Sequence, residues 1–423
     1  MSKLNNTEKS WVFYDWANSA YSLVVTSTIL PLYFKSAFTN AGGSSSLSTA
    51  YWGYANSIGT LIVALLAPIL GTLADYKGYK MKFFNVFFLL GIISTAMLAF
   101  VPTQFWLLLL VVYVLTSIGF SGSCIFYDAF LVDVTTKERM DYVSSMGFAL
   151  GYIGSTIPFI LCMTIVMLAQ FHIIPLSVTT ASQISFIITA IWWGVFTLPL
   201  IRKVNQCHGI EIEKSPIKNS FMRLSKTFKN IKMHKPIFLF LLAYFFYIDG
   251  VNTIITMATS YGADLGISST SLLLILLVTQ FVAFPCAIIF GKLAQKYTGK
   301  RMLLIGVLIY SGICIYAFFI KTAFDFWVLA MLVGTSQGGI QAISRSYFAK
   351  LIPKNNFNEF FGFYNIFGKF AAIIGPFLVG IVTQLTGKTN LGVLSIIVLF
   401  VIGGLVLLKV PNDHEITVKA LDS

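Results

Sequence analysis

A chain of 423 residues that is 57% hydrophobic and only 11% charged cannot cover a surface that faces water on every side, because soluble domains carry roughly a quarter charged residues. Lipid must be part of its solvent. A soluble enzyme or a soluble nucleic-acid-binding protein is excluded in spite of the net charge of +13, since the cations prove to be sorted by side rather than gathered into a patch.

Twelve apolar runs have the roughly 20 residues that a helix needs to cross a bilayer: 10–36, 50–75, 82–101, 105–134, 142–169, 183–202, 237–260, 268–294, 302–320, 325–351, 359–385 and 390–409. Runs of this length predict helices and not barrel strands, which need only about 9–11 residues. A helix also satisfies its own backbone hydrogen bonds in lipid. The first run starts near Trp11 without a small-residue cleavage site, so it is expected to stay as the first helix.

Of the 29 Lys and Arg residues, 24 fall at the two ends of the chain and in the even-to-odd loops. The other side holds only Lys35, Lys321 and Lys388, while Arg345 and Lys369 lie within spans. The positive-inside rule makes the rich side cytoplasmic. Both termini are then expected inside, which requires an even number of spans.

Taken along the chain, span 1 carries Phe13-Tyr14-Asp15-Trp16-Ala17-Asn18-Ser19-Ala20-Tyr21. Asp15 and Asn18, three residues apart, share one helical face. Span 2 is followed by Gly71-Thr-Leu-Ala-Asp75-Tyr-Lys77-Gly78-Tyr-Lys80. Its glycines permit a tight turn, and Asp75 can cap the next helix or pair with a cation. Span 4 holds Tyr127 and Asp128.

The longest polar stretch, 203–236, places Lys218, Arg223, Lys226, Lys229, Lys232 and Lys235 at helical spacing opposite Phe221, Leu224, Phe228 and Ile231. A basic amphipathic linker helix resting on anionic lipid fits this pattern. It separates an N-terminal six-helix bundle, 1–202, from a C-terminal one, 237–423.

The second half echoes the first. Asp249 and Asn252 in span 7 repeat the Asp15 and Asn18 spacing, and Gly291–Arg301 repeats the loop of the first half with Gln295 in place of the acid. Pro376 in span 11 answers Pro158 in span 5. Parallel repeats of this kind are what the halves of many transporters look like.

A charge at a helix centre costs about 2.5–3.5 kcal/mol on insertion scales, so Asp15, Asp128, Asp249, Arg345 and Lys369 should face a wet cavity or a partner. Asp249 lies roughly 20 Å into its helix at 1.5 Å per residue. Two readings stay open for it: a structural, hydrogen-bonded carboxylate, and an acid that titrates or binds a substrate amine. Asp15 reads as an interfacial or capping carboxylate, or as part of the same machinery. Arg345 could pair with Asp128, and Lys369 with Asp249 or a substrate carboxylate. Gln337, Gln341, Trp16, Tyr21, Tyr127 and Tyr247 divide between packing and a substrate pocket.

No G-x-x-x-x-G-K-[ST] loop, no metal-ligand cluster and no nucleophile–base pair is present. An ion gradient or the solute's own gradient is therefore the expected energy source, with no cofactor, no metal and no enzymatic reaction.

The loop Gly71–Lys80 resembles the conserved loop of the major facilitator superfamily, where it stabilises one conformation; Gly71, Asp75, Gly78 and Lys80 would carry that role. The span 1 signature is similar to that of the autophagy-related vacuolar amino-acid effluxers and their bacterial relatives, once called the "unknown major facilitator" family. So are Gln337-Gly338-Gly339-Ile-Gln341-Ala-Ile-Ser344-Arg345-Ser346 in span 10 and Glu359-Phe-Phe-Gly362-Phe-Tyr364 at the start of span 11. The resemblance covers nearly the whole chain. Asp128 and Val132 depart from it, standing where Asn and Pro are expected.

The resemblance implies an all-α membrane protein with the major facilitator fold: twelve transmembrane helices in two pseudo-symmetric halves, with spans 1, 4, 7 and 10 lining a central cavity. It further implies a monomeric secondary transporter of the cell membrane that exports amino acids or similar small solutes by alternating access, with the proton as a candidate coupling ion. Drug or lipid efflux is the rival within transport. A receptor or scaffold that kept the fold without flux is the rival outside it.

Overall fold

The computed structural model describes residues 3–43, 45–211, 219, 220, 222, 225, 235–264, 267, 269–353 and 357–412. Most of the predicted linker helix, including Lys218, Arg223, Lys226, Lys229 and Lys232, lies outside the described residues. Among the described residues, eleven helical stretches are long and apolar enough to cross a membrane, from Tyr51–Ala74 to Thr389–Leu408. They coincide with expected spans 2 to 12.

Span 1 differs from a plain helix. It runs as α1 (Asn6–Ala20), a π-helical segment Tyr21–Ile29 and α2 (Leu30–Asn40). A capping box starts it: the Asn5 side chain accepts from the Glu8 N–H at 2.7 Å, and the Glu8 carboxylate accepts from the Asn5 N–H at 2.8 Å. Pro31 brings no N–H and crowds the preceding turn, where Val24, Val25, Thr26, Thr28 and Ile29 are all β-branched. The helix widens there, and Leu30 N–H reaches back to the Val25 carbonyl.

The chain forms two compact units, Met1–Val134 with Leu150–Ser220, and Thr135–Ala149 with Phe221–Ser423. The first contains α1, α2, α3 (Ser45–Ala74), α4 (Tyr79–Met97), α5 (Trp106–Ala129), the one-turn α6 (Leu131–Val134), most of α7 (Met140–Gln170) and α8 (Val178–Lys203). Its closest helix pairs are α4 with α5 and α1 with α8.

The second unit contains the start of α7, α9 (Lys235–Asp264), α10 (Ser269–Tyr297), α11 (Gly299–Phe319), α12 (Ala323–Leu351), α13 (Phe357–Phe370), α14 (Ile374–Thr386), α15 (Thr389–Ser395) and α16 (Ile397–Leu408). Here α10 packs closely on α12, and α9 on α16. Large apolar side chains face outward from both units, Leu65 at 64% exposure and Leu385 at 80% among them. Such a surface is stable against lipid and not against water.

Two expected spans are corrected in detail. Span 4 ends as a helix at Ala129, five residues early, because the chain turns at Phe130 before α6. Span 11 is broken between Phe370 and Ile374 into α13 and α14.

Candidate functional site

The break in span 11 is what organises the middle of the second unit. Pro376 has no N–H to give to the carbonyl four residues back, so the helix before it is weakened. Lys369, on the last turn of α13, carries its charge at the negative end of that helix dipole. The first N–H groups of α14 are left without partners inside their own helix. Asp249 on α9, fully buried, supplies the missing acceptor: Gly375 N–H lies 3.0 and 3.1 Å from its two carboxylate oxygens. The Thr253 hydroxyl, one turn along α9, donates to Asp249 Oδ1 at 3.3 Å. A carboxylate at a helix N-terminus is favoured by the dipole as well as by these bonds.

Gly375 is needed for this approach, because a Cβ there would overlap the Thr253 hydroxyl and come within 2.9 Å of Asp249 Oδ1. Gly375→Ala is expected to destabilise the protein by about 1–3 kcal/mol, the usual cost of forcing an atom into a packed site. Unchanged melting in a thermal-shift assay would mean that α14 is not held this close to α9.

Thr253 also lines a cleft of about 770 Å³, open mouth included, between α9, α10, α11, α12 and α15. Gln337 lines it from α12 and is 6% exposed. Thr253 and Gln337 thus line one space, and Asp249 lies behind its wall, hydrogen-bonded to Thr253. Asn252 and Gln341 are half-buried on α9 and α12. Tyr247 is fully buried, with its hydroxyl 2.7 Å from Ser344 Oγ.

Further along α12, Arg345 is almost fully buried. Its Nε donates to Ser144 Oγ at 2.9 Å, its Nη2 donates to the Ser144 carbonyl at 3.0 Å, and its guanidinium lies over the Phe148 ring. One turn on, Asp141 accepts from Ser346 Oγ at 2.6 Å and from Lys350 Nζ at 2.5 Å. Sequence reasoning passed over Asp141, Ser144 and Lys350. The available signal was an Arg and a Ser on one turn of a helix and a Lys on the next, awaiting an acid from elsewhere.

In the first unit Asp15 is 8% exposed on α1, and Asn18 Nδ2 donates to Cys124 Sγ at 3.7 Å. Asp128 is half-buried at the end of α5. Tyr21 and Tyr127 are buried: Tyr21 shares a hydrogen bond with Thr116 Oγ1 at 2.6 Å, and Tyr127 stacks on Trp11 with ring centres 4.5 Å apart. Trp16 is half-buried against Trp192 and Phe196, and its indole N–H has no acceptor among the described residues.

The loop Gly71–Lys80 is tied to the segment after α8. Gly78, at φ +79° in the left-handed region that favours glycine, is the N-cap of α4 and has no capping side chain of its own. Gln206 caps this helix: its Oε1 accepts from Gly78 N–H at 2.9 Å and Lys80 N–H at 3.3 Å, and its Nε2 donates to the Ala74 carbonyl at 3.0 Å. Ile210 pairs with the loop backbone on both sides of Tyr76, and Lys77 forms an ion pair with Glu211.

Beneath the loop, Lys80 and Asp133 form an ion pair at 2.6 Å, both side chains 0% exposed. Lys80 Nζ also donates to the Ala129 carbonyl at 3.1 Å, at the negative end of α5. Asp133 Oδ1 accepts from the N–H groups of Cys207 and His208, both at 2.9 Å. Burial alone would raise the Asp133 acid, but the Lys80 ammonium and His208 outweigh it and hold the carboxyl below the usual carboxylate range. In the second half, Lys300 instead donates to the Leu408 carbonyl at 2.9 Å.

The profile of the family described as "Vacuole effluxer Atg22 like" matches residues 5–417. The chain is 60% identical over 413 residues to the uncharacterized MFS-type transporter YxiO of Bacillus subtilis, covering 98% of this chain and 96% of that one. It is 23% identical over 443 residues to autophagy-related protein 22 of Coccidioides immitis, covering 86% and 72% of the two chains. Among solved structures, the human organic anion transporter MFSD10 superposes with a TM-score of 0.71 at 12% identity, over 95% of this chain and 99% of that one. The fold is that of the major facilitator superfamily.

Proposed function

This chain belongs to the Atg22-like vacuole effluxer family of major facilitator transporters, and from that premise we propose that it exports amino acids or similar small organic solutes in exchange for protons. It is a multi-pass membrane transporter and not an enzyme. In our reading it works as a monomer in the cell membrane, with both termini in the cytoplasm, by alternating access between two six-helix bundles joined by the 203–236 linker.

The observation that carries proton coupling is the placement of Asp249. A buried carboxylate in mid-span is costly unless it is used, and this one is bonded to the N-terminus of a half-helix. When ionised, Asp249 pins α14. When protonated, it loses the charge that the helix terminus favours, and α14 is freed to move. One proton is thereby converted into a change of helix position beside the Gln337 cleft. Asp15, Asn18, Asp128, Asn252, Gln341, Arg345 and Lys369 are the further candidates for substrate contacts, with Trp16 as the aromatic one.

Counterflow of labelled leucine and tyrosine in proteoliposomes tests the substrate class. Saturable exchange that requires the protein is expected. Well-folded protein that exchanges neither amino acid, while lipophilic cations are carried, would remove the amino-acid reading in favour of drug efflux.

A further inference from the structure

The cleft of the second unit is chemically unlike a site for a zwitterion. None of its described lining residues is charged; Ile254, Met257, Leu276, Ile313, Leu329 and Val333 typify them. Its hydroxyls are already committed. Thr253 donates to Asp249, Thr279 donates to the Ile275 carbonyl at 2.7 Å, and Tyr261 donates to the Ala317 carbonyl at 2.7 Å. The Gln337 amide has no hydrogen-bond partner among the described residues, although it lines the cleft.

We propose that this cleft is a binding site for an uncharged lipophilic molecule, whose single polar group is hydrogen-bonded by Gln337. Apolar walls reward burial of an aliphatic or aromatic body. An ammonium or carboxylate placed there would be desolvated without a counter-charge. An amino acid's two charged groups are therefore excluded from the cleft, and the site is additional to the one that handles the exported solute. Because Thr253 lines the cleft and donates to Asp249, an occupant also rests against the side chain that hydrogen-bonds the residue pinning α14. The ligand chemistry is shared by a free lipophile and by an acyl chain of the bilayer.

The test is photolabelling of the full chain in lipid nanodiscs with a diazirine-bearing dodecanol, mapped by peptide mass spectrometry. Label is expected on the α9 and α12 residues of the cleft, saturable and displaced by unlabelled dodecanol. Gln337→Leu keeps the volume and should weaken half-saturation about fivefold, the effect of one neutral hydrogen bond. Ala330→Trp, which fills the cleft, should abolish the labelling. The corresponding diazirine dodecanoate should label the cleft far less than the alcohol. Displacement by dodecanol alone identifies a free lipophile; displacement that follows the phospholipid-to-protein ratio identifies an acyl chain, and either sustains the proposal. Cleft labelling that excess dodecanol leaves unchanged, or equal labelling by the carboxylate, overturns it, and both measurements use the wild-type protein.

Discussion

Asp249→Asn is expected to abolish pH-gradient-driven accumulation, by about tenfold or more, while leaving counterflow within about threefold of wild type, a difference of roughly 1 kcal/mol or more in coupling. Asparagine keeps an oxygen that can accept the Gly375 N–H, now 3.0 Å from the carboxylate. What it loses is the charge and the ability to titrate. A hydrogen bond to a charged group contributes about 1.5–3 kcal/mol, and a neutral one about 0.5–1.5. The variant should therefore fold, with α14 held less firmly, and exchange of solute for solute should continue. Parallel measurement of accumulation and counterflow in the same vesicles separates the two roles. Accumulation that keeps its normal pH dependence would show Asp249 to be a structural cap and nothing more. Loss of both activities in folded protein would place it in substrate binding.

The Lys80–Asp133 pair should give the largest stability effect. Lys80→Ala leaves a carboxylate with 0% exposure facing, among the described residues, only backbone N–H groups and His208. Breaking one side of a buried pair costs about 3–5 kcal/mol, whereas replacing both partners by apolar residues can be nearly neutral. A Lys80→Met, Asp133→Leu double variant should therefore recover much of what either single loses. The pH dependence gives a second reading. The Asp133 acid is depressed in the folded wild type, so its stabilising contribution is complete above the ordinary carboxylate range near pH 4. That contribution disappears as pH falls through the folded value. Without Lys80, burial is opposed far less and the folded acid moves upward. The penalty of Lys80→Ala should then shrink as pH is lowered from about 7 to about 5. Thermal unfolding across that interval checks the sign, and a penalty independent of pH would show that Asp133 has found another cation.

The spans were legible in the sequence because membrane insertion is a local requirement. A run of about 20 apolar residues satisfies it without reference to anything else in the chain. The loop Gly71–Lys80 was legible for the same reason, since a left-handed Gly78 is a local demand. Pro158 and Pro376 show where such reading stops. Both are prolines inside apolar spans, yet α7 runs through Pro158 while the chain breaks before Pro376. The difference is a partner 126 positions away in sequence, Asp249, which satisfies the N–H freed by the break. The same holds for Gln206, which caps a helix that begins more than a hundred residues before it, and for Asp133, whose role depends on Lys80 and on the strap carrying His208.

Asp249 itself was singled out from sequence, because an acid in mid-span is conspicuous whatever its partner. What it does there was not written locally. By itself, the sequence determined which residues enter the membrane and which charges must be answered inside it. The tertiary structure alone decided what answers them, because in a low-dielectric interior every buried donor and acceptor takes the nearest complementary group in space, however far away it lies along the chain.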